Sequence, residues 1–246
     1  MWSSGIARGR RVWQYGTAIT PAEGLMRSIS LATAALVLIV TPTAFAQAFI
    51  QYSSRTDFFA ASFPGEPNVR ATTWMTEHEI HLPARVYSVD NARGRFSMTV
   101  VDFTDVEKLN TEDSIQCERR GGGGDMCRNS WRSDVEGSIV WATRQFLVRD
   151  AKVTFYAWYT ADLVPGHQLQ LLNADQSRTF ATVNMHGTRL YILEATVPRG
   201  APAPGAFQQS LMFLDEKGNS IRYRDYYSPT HSGDWTFPAA PPPRAR

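Results

Sequence analysis

The sequence predicts an α+β fold, an α/β/α sandwich with a largely antiparallel central sheet of about six or seven strands and two main helices. Three observations lead there. Short segments with a two-residue apolar alternation recur between residues 57 and 197, divided by Gly, Pro and Asn turns. One of them is apolar on both faces and needs cover on both sides. One segment beginning at Ser133 changes to the helical period.

Phe59, Ala61 and Phe63 alternate before Pro64-Gly65-Glu66-Pro67, so Asp57–Phe63 reads as a strand that ends in a turn. Ala71–His78 is a weaker strand. Arg85–Val89 and Arg95–Phe103 flank the turn Asp90-Asn91-Ala92-Arg93-Gly94. In the second of these, Phe96, Met98 and Val100 share one face, while Ser97, Thr99, Val101 and Phe103 share the other. That strand belongs at the centre of a sheet. Ser133 and Glu136 have the spacing of a capping box, and Val135, Ile139, Ala142 and Phe146 make one helical stripe that ends near Arg149. Lys152–Thr160 is an aromatic, β-branched strand. Pro165-Gly166 reads as a turn, His167–Leu172 as a strand, and Thr179–Met185 with Arg189–Val197 as a hairpin through His186-Gly187. Pro204 opens a short helix that points Phe207, Leu211 and Leu214 inward, with Gly218 past its end. Residues 47–225 form one domain. The segment from Tyr226 to Arg246 is Pro-rich and reads as a disordered tail.

The first 46 residues read as a leader. Arg27 precedes the apolar run Leu31–Val40, followed by Pro42 and the triplet Ala44-Phe45-Ala46. A cation, a short apolar core and a small-x-small site are the parts of a secretory signal, with cleavage between Ala46 and Gln47. The initiator is Met1 or Met26. No apolar run reaches the roughly 18 residues of a membrane-spanning helix. Residues 1–46 hold four Arg and one Glu. Of the chain's 25 basic and 23 acidic residues, 21 and 22 therefore remain, and nothing favours a nucleic-acid surface. The reading is a periplasmic or secreted monomer.

Export gives the two cysteines a compartment. Cys117 and Cys127 enclose a loop with four consecutive glycines, Gly121–Gly124. In an oxidising space such a pair is most simply a disulfide, worth about 2–3 kcal/mol for a ring of this size. A metal pair or redox thiols are the rival readings. The Gly run lacks the G-K-[ST] ending of a phosphate loop.

Several segments taken together carry a resemblance: Phe63–Pro67, Leu82–Tyr87, Thr99–Asp102, Pro165–Gln170, Arg189–Ala195 and Phe207–Asp215. As a set they resemble a group of uncharacterised exported bacterial proteins similar to the PsbP-like superfamily, which also includes a small Ran-binding nuclear import factor. The resemblance spans Tyr52 to Tyr223. It implies the sandwich described above and a role in binding or assembly rather than catalysis. It assigns no metal, cofactor or partner site to residues of this chain.

Chemistry-bearing residues are sparse. His78-Glu79-Ile80-His81 lacks the H-E-x-x-H spacing of a zinc helix and reads as a solvated turn or strand end. Asp102, Asp105, Glu107, Glu112 and Asp113 lack the calcium-loop pattern and read as a solvated loop. There is no G-x-S-x-G elbow. His167 or His186 with a distant acid would be the route to a hydrolase. The aromatic residues are the stronger signal. Trp74, Tyr156 and Trp158 are candidates for a ligand or partner surface, and Tyr156 and Trp158 share a strand face. Arg119 and Arg120, with other arginines near the glycine loop, could meet an anionic envelope component. The function expected is a non-enzymatic binding or assembly factor of the cell envelope, with an exported hydrolase as the alternative. No cofactor is expected.

Overall fold

The computed structural model describes residues 49–228. The expected signal segment, its cleavage site at Ala46 and Gln47, and residues 229–246 lie outside them. The described residues form strands β1 (Ile50–Ser54), β2 (Phe59–Phe63), β3 (Asn68–Met75), β4 (His81–Asn91) and β5 (Gly94–Asp102), then helices α1 (Val106–Arg119) and α2 (Trp131–Leu147). Strands β6 (Ala151–Ala161), β7 (Val164–Asn173), β8 (Arg178–His186) and β9 (Arg189–Val197) follow, then α3 (Gly205–Gln208) and β10 (Met212–Phe213). No helix among the described residues is long and apolar enough to cross a membrane.

Seven strands form one antiparallel sheet in the order β3-β4-β5-β9-β8-β7-β6, and β1-β2-β10 form a second, small one. The class is therefore α+β around an antiparallel sheet, as expected. As its two-sided pattern required, β5 lies inside the sheet, between β4 and β9. Its Val101, with Phe103 just beyond, joins Val135, Ala142 and Phe146 of α2 in a core on the helix side. Its Phe96, Met98 and Val100 join Phe59, Phe63, Phe207 and Phe213 in a core on the other side. That second cover consists of the small sheet and the single-turn α3.

Several boundaries differ from those read in the sequence. The acid-rich stretch after β5 is helix α1, not a loop. Its polar face points to water, while Val106 and Asn110 are buried. Helix α2 begins at Trp131, two residues before Ser133, so the capping box is not made. The Asn129 carboxamide oxygen takes the Trp131 amide instead, at 3.2 Å. Pro165 and Gly166 lie inside β7. The reversal falls at Asp162 and Leu163, both at positive φ. The tail does not begin at Tyr226. Tyr227 is 1% exposed, its amide donates to the Leu163 carbonyl at 2.9 Å, and its hydroxyl accepts the Gly187 amide at 3.0 Å.

Two buried polar clusters fasten the layers. The Asp57 carboxylate accepts hydrogen bonds from both arms of Arg85 and from the Tyr87 hydroxyl, which joins the β1–β2 turn to β4. Burial, reinforced by that bond to Asp57, pushes the Tyr87 hydroxyl up to about 12. On the helix side Asp134 of α2 lies 2.8 Å from His78 Nδ1 and accepts from Asn110 of α1 at 3.2 Å.

Candidate binding surface

Cys117 at the end of α1 and Cys127 at the end of a 3-10 turn (Gly124–Cys127) form a disulfide, with Cα atoms 5.4 Å apart. Gly122 packs directly on it. A Cβ there would lie 2.5 Å from one sulfur and 2.8 Å from the other, so only glycine fits. Arg119 and Arg120 are exposed beside the bridge, at the end of α1 where cations complement the helix dipole. The chief packing partners of α1 are α2 and the 3-10 turn.

The sheet order separates the three aromatic candidates. Trp74 lies on β3 at one edge, partly covered and 6.1 Å from the Phe103 ring. Tyr156 and Trp158 lie on β6 at the opposite edge. The expectation that the three form one surface is therefore corrected: β3 and β6 are the first and last strands of the sheet. In the antiparallel register Tyr156 faces Leu169 and Trp158 faces His167, which places both on the helix side. They are nonetheless 48% and 59% exposed, because α2 lies over β7, β8 and β9 and stops short of β6.

The result is an open trough between a helix flank and an edge strand. Its floor is His167, with the Thr143 hydroxyl of α2 2.8 Å and the Tyr156 hydroxyl 3.3 Å from Nδ1. Burial lowers the pKa of this histidine, which keeps the ring neutral as a hydrogen-bonded anchor between the two walls. Val140 and Leu147 sit three residues before and four after Thr143, hence on the same flank of α2, and both are exposed. On the strand wall Val153, Tyr156 and Trp158 are exposed, and the Tyr226 ring packs edge-on to Trp158 at 5.4 Å. Phe155 is exposed on the reverse face. Apolar side chains gathered in one such group are the signature of a contact surface.

The other histidines are placed differently. His78 is held by Asp134 at the β3–β4 turn, and among the described residues no three His, Cys, Asp or Glu side chains gather as a metal site. His186 lines a hollow of about 300 Å³ together with Thr188, Arg189, Asp215 and Glu216. Its neighbours there are already engaged. The Asp215 carboxylate caps its own turn through the amides of Lys217 and Asn219, and the Thr188 hydroxyl is bound by Arg189. His186 Nε2 bonds the Tyr223 hydroxyl, and burial drives its pKa down to about 4, far from the range of a general base at neutral pH.

The His78–Asp134 pair and the β6 trough both escaped the sequence reading. The first joins residues 56 positions apart. The second depends on how far α2 reaches across the sheet.

No family model and no curated protein matches the chain. Among solved structures it is similar to the solution structure of cyanobacterial PsbP (CyanoP) from Synechocystis sp. PCC 6803. The identity is 10% and the TM-score 0.34, over 66% of this chain and 87% of that one. At this TM-score the likeness carries no argument about function.

Proposed function

We propose that the chain is an exported, non-enzymatic binding or assembly factor of the cell envelope, and that its working surface is the β6 trough. One observation carries the reading: Tyr156 and Trp158 stand open on an edge strand beside a helix flank that exposes Val140 and Leu147. A leader with the three parts of a secretory signal and the single disulfide support the compartment. Arg119 and Arg120 offer a separate cationic contact for an anionic envelope component. The hydrolase reading is the weaker one, because His167 meets two hydroxyls and His186 is locked among tyrosines.

The test is site-directed photo-crosslinking in the producing cells. A photoreactive residue at position 158 should give an adduct, and one at Val69 on the opposite edge should not. Turnover in a broad hydrolase screen that is abolished by His167→Ala would overturn the binding reading. N-terminal sequencing should begin at Gln47; a full-length cytosolic chain with two free thiols would overturn the envelope role.

A further inference from the structure

Strand β6 pairs with β7 on one side and ends the sheet on the other. Its outer backbone edge therefore offers a ladder of donors and acceptors to another strand. Soluble proteins commonly blunt such an edge with charge, proline or brevity. Here the edge is eleven residues long, and Val153–Ala161 carries no charge, no Pro and no Gly. The opposite edge, β3, carries Arg70. An edge uncharged over Val153–Ala161, with Phe155, Tyr156 and Trp158 exposed on it, needs a cover.

The sequence of β6 indicates which cover. Read outward from Ala157, it is nearly the same in both directions: Tyr156 and Trp158, Phe155 and Tyr159, Thr154 and Thr160, Val153 and Ala161. An antiparallel strand pair about a two-fold axis places residues in this way. We propose that β6 pairs with β6 of a second copy of this chain, antiparallel and centred on Ala157, joining the two seven-stranded sheets edge to edge.

In that register Tyr156 faces Trp158 of the other copy on the helix side, and Phe155 faces Tyr159 on the reverse side. Every pair occurs twice. Cross-strand aromatic pairs are among the favourable ones. The register irregularity between Val153 and Phe155 lies outside the five-residue centre. The axis runs normal to the sheet, so the two α2 flanks border one continuous aromatic floor. The proposal deepens the binding reading by naming the partner of the same strand, and it replaces the monomer expected from sequence.

The register makes the test specific. Paired Cα atoms across antiparallel strands are about 4.5–5.5 Å apart, within disulfide range. Mild oxidation of the Ala157→Cys chain, as recovered from its producing cells, should give a covalent dimer. Phe155→Cys should not, because its Cα would lie about 14 Å from its own counterpart. Mixed Tyr156→Cys and Trp158→Cys chains should cross-link to each other. The unmodified protein should sediment as a dimer, and Trp158→Lys should weaken self-association at least about tenfold, since two aromatic pairs are lost together. Equal cross-linking at positions 155 and 157, or a monomer at the highest concentration reached, overturns the proposal. A monomer that dimerises once residues 229–246 are deleted assigns the edge to the chain's own terminus and also overturns it. A monomer that still yields a photo-adduct with a different polypeptide at position 158 overturns the dimer and leaves the binding reading standing.

Discussion

Acid should loosen this protein through His186, and the amount can be worked out. The ring stacks on Phe213 at 4.3 Å, lies near Tyr223 and Tyr227, and reaches the Tyr223 hydroxyl with Nε2. Arg189, Asp215 and Glu216 line the adjoining hollow. Desolvation of the imidazolium lowers the pKa from 6.5 to about 4 in the fold. Above pH 6.5 the residue is neutral in both states and contributes no pH dependence. Between 6.5 and 4 the unfolded chain binds a proton that the folded one refuses, so stability falls as pH falls. Below about 4 both states hold the proton and the slope vanishes. At about 1.4 kcal/mol per pH unit, the loss across the window is about 3 kcal/mol. Denaturant midpoints measured from pH 3.5 to 7.5 should show it. His186→Gln keeps a hydrogen-bonding group near Tyr223 and cannot titrate, so its curve should be flatter by that amount. His167 and the carboxylates contribute equally to both curves and cancel. Parallel curves for the two proteins would refute the reasoning.

Other perturbations are equally direct. Gly122→Ala drives a methyl into the Cys117–Cys127 bridge and should leave a fraction of chains with two titratable thiols. Replacing both cysteines by serine should cost about 2–3 kcal/mol in a denaturant titration. Asp57→Ala strands the Arg85 guanidinium and the Tyr87 hydroxyl and should cost roughly 3 kcal/mol, seen as a lower denaturant midpoint. Asp134→Ala frees His78 and removes a partner of Asn110; hydrogen exchange should speed up at residues 76–80 while the β8–β9 ladder keeps its protection.

Much of the fold was legible in the sequence because its strands announce themselves by alternation. β5, β8 and β9 were read to within a residue or so because their faces differ in chemistry and the turns between them are marked by glycine. Helix α1 was not legible. With only Val106 and Asn110 buried, it has almost no apolar stripe, and its acidic residues imitate a loop. Short β1 carries no clear pattern, and its five residues gain meaning only by pairing with β2. Ser133 and Glu136 matched a capping box by chance, a known hazard of a four-residue motif. For the candidate surface, the residue types were legible and the arrangement was not. Strand order decides that Trp74 and Trp158 lie at opposite edges, and chain position does not encode strand order.

The way the C-terminal stretch returns to the sheet has a consequence for timing during synthesis. Strand β10 pairs with β2, and Tyr223 and Tyr227 complete a core laid down by residues from Phe59 onward. A nascent chain that stops short of these tyrosines leaves Phe213 and His186 wet. Closure must then wait until nearly all of the domain has emerged from the ribosome. Late closure is what the export proposed above would require, since a chain must stay open until it has crossed a membrane.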